Sequence, residues 1–195
     1  MIRIGILGDI GSGKSYVAKN FGYPVFNADY EVSKLYQKNR KVYQKLKKLL
    51  PGYIYEFPIN KLQLSKAILE NNSNLKKIIY IVHKEIRNKM KSFLKKNKNK
   101  KFVILDIPLL LENKINKKND ILVYVQSKRA DILKNLYKRK NFNPKILKKF
   151  KEIQFPLAYK RKISKFIIKN KFNEKSVKYR VVHILKIIRD ERNSP

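Results

Sequence analysis

Short, mostly apolar runs alternate along this 195-residue chain with segments whose apolar positions return every three or four residues. The runs are Ile2 to Leu7, Val25-Phe26, Phe102 to Ile107, Ile121 to Val125 and Phe166 to Ile168. Runs of this length, bounded by Gly, Pro or polar residues, predict five buried strands. Helical spacing is expected near 14–21, with Val17, Ala18 and Phe21 on one face, and again after Asn27-Ala28-Asp29 through Val32, Leu35 and Tyr36. A Lys-rich helix near 40–50 should stop at Pro51-Gly52. The stretch 53–65 reads as irregular, with a helix start at Asn60 or Lys61 and helical spacing from Leu62 to Leu69. A long helix is expected over 75–94, where Ile78, Ile81, Val82, Ile86 and Met90 mark one face. Further helices are expected near 129–139, 143–154 and 174–190, and 95–101 reads as a polar link. Strands separated by helices imply an α/β protein, a five-stranded parallel sheet flanked by helices on both faces.

The join between the first strand and the first helix carries chemistry. Four of the chain's six glycines fall between Gly5 and Gly13, three of them in Gly8-Asp9-Ile10-Gly11-Ser12-Gly13-Lys14-Ser15. A strand leading into Gly-x-x-x-x-Gly-Lys-Ser is the phosphate-cradling P-loop pattern. Its glycines let several backbone N–H groups converge on one anion, and the following helix N-terminus reinforces them. Lys14 is expected to reach the β- and γ-phosphates, and Ser15 to place its hydroxyl on Mg²⁺. A nucleoside triphosphate is the implied ligand.

Composition narrows the surroundings. The formal net charge of +34 invites a nucleic-acid reading, but the excess is mostly Lys, spread along the whole chain. Specific readers favour the bidentate fork of Arg, so no specific nucleic acid is expected. Abundant Asn and Ile beside the Lys suggest AT-rich coding. The chain has no cysteine, which removes disulfides and thiolate metal sites. No apolar run approaches the ~20 residues of a membrane span, and the first strand begins at once, leaving no room for a signal peptide. A cytoplasmic protein without membrane association is expected, most simply a monomer, although an oligomer is compatible with the sequence.

Two carboxylates stand where phosphoryl transfer needs them. Asp29 follows the second strand, on the side of the sheet where ligands bind in such folds; a helix N-cap is its other reading. Asp106 ends the third strand, where a carboxylate holds Mg²⁺ or, alternatively, ties down the following loop. His83 and Arg87 share a helix face, either facing an anionic acceptor or simply solvated. Arg139 closes the helix after the fourth strand, where a lid arginine would sit, and His183 is expected to pack.

Taken in order, these landmarks resemble the dephospho-coenzyme A kinase family over about residues 2–188. The resemblance rests on Ile4 to Ser15, Asn27-Ala28-Asp29, Ile81 to Arg87, the run Asp106-Ile107-Pro108-Leu109-Leu110-Leu111-Glu112-Asn113, and Gln154 to Leu157 with Lys160 and Asn170. It implies ATP-dependent phosphorylation of the ribose 3′-hydroxyl of dephospho-coenzyme A, with Mg²⁺. It implies one P-loop kinase domain over 1–195: a nucleotide-binding core (1–45, 101–138, 161–195), a helical acceptor-binding insertion (46–100) and a small lid (139–160). By the same resemblance Asp29 is the general base, and Gly8, Gly11, Ser12, Gly13, Lys14, Ser15 and Tyr16 line the ATP phosphates. Arg139 closes over ATP, Asn170 lies near the adenine, His83 and Arg87 help form the acceptor pocket, and Ser15 and Asp106 serve the metal. The chain departs from the family pattern at Asn27 for Asp, Tyr16 for Thr, Lys84 for Pro and Asn135 for Arg. Other readings are a kinase for another nucleoside or nucleotide and a basic nucleic-acid-binding P-loop protein.

Overall fold

A computed structural model describes residues 1–140 and 142–193; Asn141, within the expected lid, and positions 194–195 lie outside the described residues. Five parallel strands form one sheet in the order β2-β3-β1-β4-β5. They are β1 (Ile2–Gly8), β2 (Val25–Asn27), β3 (Phe102–Asp106), β4 (Ile121–Gln126) and β5 (Phe166–Lys169). All five match the expected apolar runs to within a residue or so. The chain order reverses at β1, whose neighbours are β3 on one side and β4 on the other. A crevice opens beyond the carboxyl ends of strands at such a reversal, and that is where α/β sheets bind ligands.

Two compact units result. The first comprises Met1–Asn27, Asn97–Phe142 and Ile153–Pro195, and it holds the sheet. Alternate residues Ile2, Ile4 and Ile6 of β1 join Phe102, Ile104, Val123, Val125 and Ile168 on one sheet face. That face is covered by Val17, Ala18 and Phe21 of α1 (Lys14–Asn20) and its C-cap, and by Val177, Val181, Ile184, Leu185 and Ile188 of a later helix. On the opposite face the chain after β3 comes so close that a Cβ at Gly5 would stand 2.6 Å from Leu110 Cδ2. Glycine there is required by proximity, not by backbone angle.

The second unit comprises Ala28–Lys96 and Asn143–Glu152. It contains α2 (Ala28–Lys38), α3 (Arg40–Leu49), α4 (Lys61–Glu70) and α5 (Asn72–Lys96), with α2, α3 and α4 each packed on α5. The expected stripe is buried at Ile78, Ile81, Val82 and Ile86 and half-buried at Met90. Asn39 and Asn60 cap α3 and α4, their side chains accepting from the Val42 and Leu62 amides at 3.0 and 2.9 Å. Each satisfies an N–H that the helix leaves without an internal partner.

The remaining helices are α6 (Arg129–Tyr137), α7 (Pro144–Glu152), α8 (Leu157–Lys162) and α9 (Glu174–Asn193). Helix α8 has no counterpart in the sequence reading. Its one buried residue is Lys160, so it shows no apolar period. His183 is a second difference: it lies on the exposed side of α9, while Ile184 and Leu185 face inward. No helix among the described residues is long and apolar enough to cross a membrane.

Candidate active site

The loop from Gly8 to Ser15 joins the carboxyl end of the central strand to α1, so it lies at the reversal of strand order. Gly13 forms the N-cap of α1 with φ 86°, in the left-handed region. A Cβ there would also stand 2.3 Å from Asn170 Nδ2. Backbone angle and space both select glycine. Gly11 is covered by α6, where Leu136 and Ile132 come within 2.9 and 3.1 Å of the place a Cβ would take.

Side chains from distant strands fasten the loop. The Ser12 carbonyl accepts from Ser127 Oγ at 2.8 Å and from Asn170 Nδ2 at 2.9 Å. Asn170 Oδ1 in turn accepts from the Phe172 amide at 2.8 Å, and the residue is buried. Asn170 thus anchors the phosphate loop, a positioning task that the sequence reading did not include. Lys14 Nζ donates to the carbonyls of Asp9 (2.8 Å) and Gly8 (3.2 Å), which holds its ammonium over the loop. The Tyr16 ring packs on the apolar core, so its contribution to an anion is limited to its place in the first turn of α1.

Strand pairing builds the other half. Asn27, the last residue of β2, is the direct neighbour of Asp106, the last of β3. Asn27 Nδ2 donates to Asp106 Oδ2 at 2.5 Å and to Ser15 Oγ at 3.3 Å. The two oxygens expected to serve a metal are therefore gathered about one amide nitrogen. Both are hard donors of the kind Mg²⁺ takes. Among the described residues no group of three or more His, Cys, Asp or Glu could hold a metal alone, so phosphate oxygens and water would have to complete the shell.

Arg139 is exposed just beyond α6, the helix that covers Gly11. In the second unit, Asp29 is exposed in the first turn of α2, where the helix dipole favours a carboxylate. His83 and Arg87 lie one turn apart on α5, half-buried and exposed respectively. Burial, and then the nearby Arg87 guanidinium, hold the His83 imidazole below its ordinary pKa. It is therefore neutral near pH 7, able to donate or accept a hydrogen bond, while Arg87 supplies the charge.

Lys160 and Glu112 form a further polar arrangement unassigned in the sequence reading. The buried Lys160 Nζ lies 2.7 Å from Glu112 Oε1, which also accepts from the Phe155 amide at 2.8 Å. Both ends of the 155–160 segment are thereby tied to the run that follows β3. Composition hides such a lysine among the many solvated ones.

Known proteins resemble this chain in sequence and in fold. A family model described as dephospho-CoA kinase matches residues 2–176. A dephospho-CoA kinase from the Wolbachia of Brugia malayi is 33% identical over 187 residues, covering 93% of this chain and 95% of that protein. Among solved structures, TT1252 from Thermus thermophilus superposes with a TM-score of 0.77 at 25% identity, covering 95% of this chain and 96% of the other. The dephospho-CoA kinase of Campylobacter jejuni shares the fold, with a TM-score of 0.61 at 20% identity and coverage of 95% and 96%. Matched by that family model over residues 2–176 and by so similar a relative over most of its length, this chain belongs to the dephospho-CoA kinase family.

Proposed function

We infer that this protein transfers the γ-phosphoryl group of ATP to the ribose 3′-hydroxyl of dephospho-coenzyme A, giving ADP and coenzyme A. The supporting observation is Ser15, at the start of α1, gathered with Asn27 and Asp106, at the ends of β2 and β3, beside a loop that holds Lys14, in a chain of this family.

The acceptor oxygen forms a bond to the γ-phosphorus as the bond to the β,γ-bridging oxygen breaks, and ADP leaves with that electron pair. The loop amides from Gly8 to Tyr16 hold the phosphates, and the Lys14 ammonium exchanges its carbonyl partners for phosphate oxygens. Arg139 offsets the charge on the transferring group. Asp29 accepts the hydroxyl proton as its oxygen bonds to phosphorus. His83 and Arg87 engage the acceptor, the neutral imidazole by hydrogen bonding and the guanidinium by charge. Ser15 and Asp106 would hold Mg²⁺, which neutralises charge on the β- and γ-oxygens when bound. The segment 46–100 receives the acceptor and 139–160 acts as the lid. We read the enzyme as cytoplasmic and monomeric, which fractionation and sedimentation would check.

The direct test is ADP release from purified protein with ATP and Mg²⁺, with and without dephospho-coenzyme A. Release that depends on this acceptor and yields coenzyme A is expected; no turnover by a folded preparation would refute the assignment. Asp29→Asn should lower kcat by roughly 10²–10⁴-fold while the ATP Kd stays within about threefold. Near-normal turnover in that variant would remove Asp29 as the base.

A further inference from the structure

The Asn27 side chain has a consequence for how the active site acquires its cation; the argument rests on reading Ser15 and Asp106 as the cation's ligands. Register places Asn27 beside Asp106, and the Asn27 Nδ2 atom reaches both Asp106 Oδ2 (2.5 Å) and Ser15 Oγ (3.3 Å). An ionised carboxylate only accepts, so the group facing it must be the N–H₂ end of the amide; Oδ1 in that place would set two acceptors against each other. A divalent cation held by the same two oxygens would approach each to about 2.1 Å, within the space this nitrogen fills. An ion taking the lone pairs that now accept from Nδ2 would have to displace the amide.

We propose that the Asn27 amide is a built-in competitor of the divalent cation, keeping the site closed to the bare ion and yielding only to an ion that arrives on a nucleotide. A bare ion must shed water and displace a charge-assisted hydrogen bond in return for two protein oxygens. An ion carried by a nucleoside triphosphate brings its phosphate oxygens with it. The loop amides and Lys14 then hold the same ligand, so the combined binding overcomes the amide. The amide thus weakens the bare ion and the nucleotide-borne ion alike, and only the second has binding to spare.

Mn²⁺ binding, followed by electron paramagnetic resonance, separates this idea from the alternatives. In nucleotide-free protein, Asn27→Ala should bind Mn²⁺ about tenfold or more tightly than the wild type, the size expected on removing a competing hydrogen bond to a charged group. With a non-hydrolysable ATP analogue present, Asn27→Ala should keep a gain of similar size, because the ion displaces the same amide whether or not nucleotide is bound. Unchanged or weaker Mn²⁺ binding by nucleotide-free Asn27→Ala would overturn the proposal, because a supporting residue gives that result. Asp106→Asn tests the underlying assignment separately: Mn²⁺ binding as in the wild type would show that the ion sits elsewhere, and both readings would fall. A measurement on the unaltered protein covers the case of a variant that does not fold. The Asn27 side-chain N–H₂ resonances should stay in place when the analogue is added with EDTA and move when Mg²⁺ follows; no movement on Mg²⁺ addition would also overturn the proposal.

Discussion

The two ends of the central strand handle buried charge in opposite ways. Near its start, Arg3 donates to Asp120 Oδ2 at 2.8 Å and to the Ile115 carbonyl at 3.1 Å, both charged side chains being almost fully enclosed. Past its end, Lys14 rests on backbone carbonyls, and Asp106 faces an amide and, through it, a hydroxyl. The first arrangement matches charge with charge. In the second, the hydrogen bonds of Lys14 and Asp106 described above run to neutral groups, which on the proposed reading a triphosphate and its cation would replace. On the proposed reading, buried charge at the start of the strand is architecture, and at its end it is readiness to bind.

If the comparison holds, changes at one end should alter turnover and changes at the other should alter stability. The largest effect is expected at the binding end. Lys14→Ala should reduce kcat/KM by roughly 10²–10³-fold while shifting the melting temperature by only a few degrees, as steady-state kinetics and calorimetry would show. At the opposite end, Asp120→Ala strands a buried guanidinium and should cost about 3–5 kcal/mol in a denaturant titration, with kcat per folded molecule unchanged. The pair Arg3→Met with Asp120→Leu should recover most of that loss, because an enclosed ion pair gains little over well-packed apolar groups. A double variant as unstable as Asp120→Ala would show that the pair itself contributes net stability.

A smaller effect separates the loop from its support. Asn170→Ala removes the donor to the Ser12 carbonyl and should destabilise the protein by about 1–3 kcal/mol, with a rise in KM for ATP as the loop loses its anchor. The smallest effect is a slope. Burial raises the Asp120 pKa above 3.8, outweighing the Lys117 amide and the Arg3 guanidinium that lower it. Between 3.8 and that raised value the folded chain binds more protons at Asp120 than the unfolded chain does. Asp120 therefore makes stability fall as pH rises through this window, and Asp120→Asn should remove that component from the pH–stability curve.

The sheet and phosphate loop were legible because their signals are local. Five apolar runs and one dense glycine cluster identify them without knowledge of any distant contact. Position, spacing and family resemblance single out Asp29, His83, Arg87, Asp106, Arg139 and Asn170, but none of these signals carries their geometry. The donor end of Asn27 emerges only once β2 pairs with β3, since the sequence alone offers its oxygen and its nitrogen equally. Arg3–Asp120 and Glu112–Lys160 join residues 117 and 48 positions apart, with no periodic pattern to announce them. Helix α8 escaped for a related reason: the residue it buries is a lysine.

Strand order also has a consequence for biosynthesis. Strand β1, the middle of the sheet, is made before both its neighbours, and its partner for Ile2 is Phe102, made about a hundred residues later. Its other neighbour, β4, follows later still. A chain with such distant pairings folds slowly, and its earliest segment waits with both edges open to unwanted partners. Nascent protein, rather than the finished enzyme, is where this fold is most exposed to aggregation.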